Sequence, residues 1–266
     1  ALAEVAADWD LCLVFDGVAV PPADPICRPA VPAERLILVI GDSHAAALAP
    51  GLRARAHVLG YELAVLAKAS CPPLLDVTLF TPANPAHSAE CMSFHDQVMA
   101  WIKANPGIRK VILAGFWSAP MIAGAQGEAY VSARSDEPER DNAALLERGL
   151  TAEVAALRGL GLDVAVVQDV PFFAFEPTNY LLQRVIAVRA ALGGLLGGPR
   201  DLGQTDGPAR YVINRNDATR DIIRQVAAAT QGVAVVDPFD SLCTADRCRL
   251  ADEDGSSLYK DSQHLS

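Results

Sequence analysis

From Leu36 onward, short apolar runs alternate with stretches of helical periodicity, and that alternation leaves few folds open to the chain. Leu36–Ile40, Glu62–Ala67, Lys110–Ala114, Asp163–Gln168 and Val233–Val236 are rich in Leu, Ile, Val and Ala, as strands buried on both faces require. Between them, Phe94, Val98, Trp101 and Ile102 fall on one face of a helix expected from about Ser93 to Lys103, stopped by Asn105-Pro106-Gly107. Leu146, Leu150, Val154 and Leu157 form the same stripe on a helix expected from about Asp141 to Arg158. Further helices are expected at about Ala45–Ala56 and Asn179–Leu192. Asn216 or Asp217 is placed to cap another that carries Ile222, Ile223 and Val226. Strand–helix alternation of this kind predicts an α/β fold, a three-layer α/β/α sandwich around a five-stranded parallel sheet. Ligands in such sheets bind at the carboxyl ends of the strands. The stretch from Ser118 to about Glu139 reads as a long loop, and Gly193–Pro208 as a glycine-rich irregular segment.

Residues 1–34 lack periodicity and hold Pro21, Pro22, Pro25, Pro29 and Pro32 together with Cys12 and Cys27. They read as a disulfide-stapled extension packed on a domain formed by residues 35–266. The six cysteines fall into three sequence neighbours, Cys12 with Cys27, Cys71 with Cys91 and Cys243 with Cys248. Their even number and short separations favour disulfides and hence an oxidising, extracytoplasmic compartment. Reduced buried thiols and a metal site are the other readings. The metal reading is the weaker of these, because the chain has no Cys-x-x-Cys.

A formal net charge of −10 repels nucleic acid and anionic membrane surfaces, so neither is expected as a partner. No apolar run approaches the roughly 20 residues that a bilayer-spanning helix needs. The chain opens at Ala1-Leu2-Ala3 without a methionine and closes just after His264, and both ends read as cut from a longer parent.

Chemistry concentrates in two motifs. Gly41-Asp42-Ser43-His44 follows the first apolar run and puts a serine where a strand turns into a helix. Asp261-Ser262-Gln263-His264-Leu265-Ser266 offers a carboxylate and an imidazole three positions apart. A serine hydroxyl becomes a competent nucleophile only when a base takes its proton, and the base needs a carboxylate to fix its tautomer. The order Ser43, Asp261, His264 supplies all three groups, and such a triad calls for no cofactor and no metal.

With these residues in view, the chain resembles the SGNH/GDSL hydrolase superfamily, and more closely the SGNH domain fused to acyltransferase-3 domains in bacterial polysaccharide O-acyltransferases. The resemblance spans roughly Leu36–Ser266. It rests on Gly41-Asp42-Ser43-His44, Cys71-Pro72-Pro73, Leu113-Ala114-Gly115-Phe116-Trp117, the Cys243/Cys248 pair and Tyr259-Lys260-Asp261-Ser262-Gln263-His264-Leu265-Ser266. It implies the flavodoxin-like SGNH fold, Ser43 as nucleophile, His264 as base and then acid, and Asp261 as the histidine's orienter. It further implies an acyl-serine intermediate and transfer of an acetyl or other short acyl group to a cell-envelope polysaccharide. The acyl donor would be delivered by a membrane acyltransferase-3 domain in the same polypeptide, which would tether this one at the periplasmic or extracellular face. The alternatives are a carbohydrate O-acetyl esterase and a non-catalytic glycan-binding module on the same fold.

The family builds its oxyanion hole from the serine amide, a glycine after the second strand and an asparagine after the third. Here Ser70 stands at the glycine position, and Gly115-Phe116-Trp117 stands where Gly-x-Asn is expected. Loss of one donor costs on the order of 3 kcal/mol of transition-state stabilisation. The indole N–H of Trp117 is one replacement, and a weak hydrolase suited to transfer is the other reading. The plainer roles are a helix cap for Ser43, a turn-holding carboxylate for Asp42, packing or site lining for His44, and a core aromatic for Trp117. His57, His87 and His95 show no partners in sequence and read as surface or core residues. Asp169 and Asp237 both end strands, where an aspartate either approaches the site or, more commonly, forms the turn.

Overall fold

The computed structural model describes residues 11–30, 33–122, 128–132, 141–185, 195, 205–215 and 218–266. The chain divides into two compact units, Ala1–Asp169 with Asp217–Val236, and Val170–Asn216 with Asp237–Ser266.

The first unit is built on a parallel sheet. Its strands are β1 (Leu13–Val14), β2 (Leu36–Gly41), β3 (Glu62–Lys68), β5 (Lys110–Ala114), β7 (Asp163–Val167) and β9 (Val233–Val236), in the spatial order β1-β3-β2-β5-β7-β9. All neighbours run parallel. Alternate side chains of each strand point to opposite faces. Leu36, Leu38, Ile40, Leu66, Val111, Leu113, Val164 and Val166 meet helices α2 (His87–Ala104), α3 (Asn142–Gly159) and α5 (Thr219–Ala229). Val39, Leu63, Val65, Ala67 and Ala114 face α1 (Ser43–Val58) instead. The small Ala45, Ala46 and Ala49 let α1 lie close to the sheet, while the α3 stripe of Leu146, Leu150, Val154 and Leu157 is wholly buried. The three layers follow directly from this division of the strand residues.

Among the described residues, six strands replace the expected five. The additional one, β1, is two residues long in a proline-rich stretch, too short to carry a period, and pairs Leu13 with Ala67 and Val14 with Lys68. Leu13–Val14 thereby form the edge strand of the sheet. The Ala69 N–H donates to the Val14 carbonyl at 2.8 Å and the Val65 N–H to the Cys27 carbonyl at 2.8 Å.

The long loop expected after Trp117 contains a strand. β6 (Ala129–Ser132) pairs antiparallel with β4 (Val77–Phe80), and the fully buried Tyr130 donates its hydroxyl to the Trp117 carbonyl at 2.9 Å. Helix α2 begins at His87, several residues before the expected start, with His87 and Cys91 buried on its first turns. Residues 1–10 and 31–32 of the expected extension lie outside the described residues, as do the expected capping residues Asn216 and Asp217.

The second unit has its own apolar core of Phe173, Leu181, Val212, Phe239, Cys248, Leu250 and Tyr259. Phe173 meets Tyr259 edge to face at 5.1 Å between ring centroids. The unit contains α4 (Pro177–Val185), β8 (Asp206–Pro208), α6 (Pro238–Leu242) and β10 (Arg247–Arg249). β8 lies in the stretch expected to be irregular and pairs antiparallel with β10. Asn214, buried, ties two loop strands by accepting from the Phe172 N–H at 2.9 Å and donating to the Val170 carbonyl at 2.9 Å. Asp237 caps α6, its carboxylate accepting from the Phe239 N–H.

Candidate active site

The first motif is shaped by close approach of two strands. A Cβ on Gly41 would lie 1.7 Å from the Ala114 carbonyl oxygen, so only glycine lets the end of β2 pass β5 at this spacing. Asp42 then turns the chain. It is extended, and its Oδ1 accepts from the His44 N–H at 2.8 Å as the N-cap of α1. Its Oδ2 accepts from the Phe116 N–H at 2.7 Å, across to the segment following β5. A Cβ on Gly115 would crowd that same oxygen at 3.3 Å. Ser43 is consequently the first residue of α1, and the helix starts two residues before the expected Ala45. The capping role belongs to Asp42.

Strand order reverses between β2 and β5, since β2 leads to β3 on one side and β5 leads to β7 on the other. A crevice opens at such a switch point, and helix N-termini there favour developing negative charge. His44 is buried, and its ring stacks on Phe116 at 4.6 Å.

Trp117 corrects the expectation that its indole could replace a missing donor. The side chain is fully buried, and Nε1–H donates to the Val167 carbonyl at 2.8 Å. A large aromatic at the end of a buried strand gains more from the core than from a wet crevice. Asp169 holds this turn, accepting from the Trp117 N–H at 2.8 Å and the Ser118 N–H at 3.0 Å. Sequence reasoning leaves Asp169 between turn former and site residue; its signal is its position just past β7.

Ser70 lies just beyond β3, next to β2, with a left-handed φ of 52°. Its carbonyl accepts from His87 Nε2 at 2.8 Å. His87 and His95, which carry no sequence signal, both have acidic neighbours. His87 Nδ1 lies 2.7 Å from Asp16 Oδ1. His95 Nε2 lies 2.7 Å from Oε2 of the fully buried Glu153. Burial lowers the His95 pKa, but the charge and hydrogen bond of Glu153 outweigh it and leave it above the usual histidine value.

The second motif folds on itself. Tyr259 bridges to Leu265, and the Lys260 N–H donates to the His264 carbonyl at 2.9 Å. Within this loop Asp261 Oδ1 accepts from the N–H groups of Gln263 at 2.9 Å and His264 at 2.8 Å. Its Oδ2 lies 2.7 Å from His264 Nδ1. Partial burial raises the Asp261 pKa, but the hydrogen bonds from the His264 ring and the two backbone N–H groups hold it well below the carboxylate range. An ionised carboxylate only accepts, so Nδ1 carries the proton and Nε2 is the basic nitrogen.

Disulfides join Cys12 to Cys27, Cys71 to Cys91 and Cys243 to Cys248. The middle one fastens the Ser70–Cys71 loop to α2, the helix that also carries His87.

The fold is that of known SGNH-like proteins. A Salmonella ser. Paratyphi A lipopolysaccharide acetyltransferase periplasmic domain is similar over 100% of this chain and 92% of its own, with a TM-score of 0.61 and 15% identity. Weaker similarity extends to TesA, at 17% identity and a TM-score of 0.40 over 83% of this chain and 87% of that one. A GDSL-like lipase from Bacteroides thetaiotaomicron shows 8% identity and a TM-score of 0.39 over 89% and 82%. No curated protein sequence matches the chain. The family model of the SGNH domain fused to AT3 domains matches residues 12–266, and the chain belongs to that family.

Proposed function

We propose that the protein is the extracytoplasmic, serine-dependent O-acyltransferase domain of a membrane acyltransferase. It would pass an acetyl or similar short acyl group to a hydroxyl of a cell-envelope polysaccharide. The observation that carries this reading is the Asp261–His264 pair, whose carboxylate accepts from the imidazole and two backbone N–H groups, in a chain of the AT3-fused SGNH family. In the proposed cycle His264 Nε2 takes the Ser43 proton as Oγ attacks the acyl carbonyl. The same proton then goes to the departing group. Asp261 keeps the imidazole in the right tautomer and stabilises the imidazolium. The acceptor sugar oxygen, deprotonated by His264, attacks the acyl carbon and forms the new ester as the bond to Ser43 Oγ breaks, and His264 returns that proton to Oγ to regenerate Ser43. The N–H of Ser43, at the first turn of α1, and that of Ser70 are the proposed oxyanion donors.

The acyl donor is proposed to come from the AT3 domain of the same polypeptide, which would anchor this domain at the membrane. Among the described residues no helix is long and apolar enough to cross one. The test is fluorophosphonate labelling together with acetyl transfer from p-nitrophenyl acetate to added polysaccharide, followed by mass spectrometry. Ser43→Ala and His264→Ala should each abolish both. Labelling or transfer that survives Ser43→Ala overturns the mechanism, and glycan binding without labelling of the unaltered protein favours a non-catalytic module.

A further inference from the structure

A group of polar side chains lies apart from the proposed triad, where residues 15–17 of the N-terminal segment meet β3 and α2. The fully buried His87 stands between the Asp16 carboxylate, 2.7 Å from Nδ1, and the Ser70 carbonyl, 2.8 Å from Nε2. The Ser70 carbonyl can only accept, so Nε2 carries a proton. The neighbouring Glu90 accepts from the Gly17 N–H at 2.9 Å and from Lys68 Nζ at 3.2 Å, and Lys68 also donates to the Phe15 carbonyl at 3.0 Å. The Lys68 ammonium is therefore the cation of this cluster, and a metal ion would have to displace it.

What the arrangement acts on is Ser70. A serine at φ 52° is in the left-handed region, which costs a non-glycine residue on the order of 1 kcal/mol or more and persists only where surrounding contacts impose it. Three contacts do so. The His87 ring holds the Ser70 carbonyl, the Cys71 N–H donates to the Lys68 carbonyl at 3.1 Å, and the disulfide ties Cys71 to Cys91, one turn along α2 from His87. Both ends of the Ser70–Cys71 peptide are thus fixed.

We propose that His87 is a positioning residue. With the Asp16 carboxylate beside its other ring nitrogen, it holds the Ser70 carbonyl and thereby the left-handed φ of Ser70, which turns the Ser70 N–H toward the acyl oxygen, doing with a side chain what a glycine would do freely. This rests on the reading of Ser70 as an oxyanion donor. It also makes the N-terminal segment, through Asp16, a contributor to the turnover of the site.

The test uses the full 266-residue chain carrying His87→Leu, His87→Gln or Asp16→Ala, with two readouts. Glutamine can place its amide N–H near the position of Nε2, whereas leucine cannot. The Asp16 carboxylate is half exposed, so its removal leaves the core intact. In p-nitrophenyl acetate hydrolysis, kcat should fall on the order of 10- to 100-fold in His87→Leu and Asp16→Ala, with KM within about twofold and partial rescue in His87→Gln. Hydrogen exchange at residues 69–74 should accelerate in the same two variants while residues 92–102 of α2 keep their protection. Unchanged kcat in both variants, a loss in kcat that tracks exchange across all of α2, or a His87→Gln variant no better than His87→Leu overturns the proposal. If the unaltered protein shows no Ser43-dependent turnover, the functional reading falls separately. Exchange then decides the brace alone, and unaltered exchange at residues 69–74 refutes it.

Discussion

The carboxylate of Asp42 accepts from the Phe116 N–H at 2.7 Å while its other oxygen caps the helix that begins at Ser43. One buried side chain therefore fixes both the start of α1 and its distance from the segment after β5. Asp42→Ala loses a cap and a charge-assisted hydrogen bond and should destabilise the protein by about 3 kcal/mol in urea unfolding. Asp42→Asn keeps one accepting oxygen and should lose roughly half as much.

Two glycines of neighbouring segments should respond in opposite directions. Gly41→Ala forces a Cβ into the Ala114 carbonyl and should cost at least about 3 kcal/mol or prevent folding. Gly51, inside α1, has open space where a Cβ would project, with no atom within 4 Å, so Gly51→Ala should stabilise by about 0.5–1 kcal/mol. Thermal unfolding of the two variants checks both signs.

The acid limb of the stability curve should contain Asp261. Its folded pKa is depressed, so its contribution is present above the unfolded value of about 3.9 and is lost as pH falls through the folded value. Comparing the unaltered protein with Asp261→Asn by denaturant titration should give a constant gap from about pH 5 to 7 that shrinks below about pH 4. A gap that grows on acidification would contradict the geometry of the loop.

His95 should act in the opposite sense. Its folded pKa is raised by Glu153, so its contribution is complete below about pH 6.5 and is lost as pH rises through the folded value. The stability gap to His95→Gln should be widest near pH 5–6 and narrow from about pH 7 upward. Breaking the pair at low pH should cost on the order of 3 kcal/mol, because Glu153 is left buried without its partner.

The crosslinks should rank by the loop each closes. Replacing Cys71 and Cys91, separated by 20 positions, by serine should cost about 3 kcal/mol, and replacing Cys243 and Cys248, separated by 5, distinctly less. Dithiothreitol should lower the melting temperature of the unaltered protein by several degrees.

Much of the sheet is legible in the sequence because its strands are long enough to show their burial. Lys110–Ala114 and Val233–Val236 have the ends read from their residues, and the α3 stripe is buried as its helical spacing requires. β1, β6 and β8 are not legible. Runs of two to four residues show no period, and each is fixed by pairing with a distant partner. Gly41-Asp42-Ser43-His44 can be read as a strand-to-helix turn, but not which residue caps it, since Asp and Ser are equally good caps and Phe116 decides between them. Trp117 is left open between core and crevice for the same reason. A tryptophan at a strand end faces core or crevice according to where an acceptor for its N–H lies, and the Val167 carbonyl is a tertiary fact. His87 and His95 are silent because their partners are 71 and 58 positions away.

The loop from Tyr259 to Leu265 closes on its own backbone, and the imidazole and carboxylate it carries are three positions apart inside that closure. Any tilt or swing of this tip carries both groups as one rigid body. The pairing therefore survives displacement that would separate an acid and base borne on different segments, and the imidazole reaches each new partner with its proton already on the correct side.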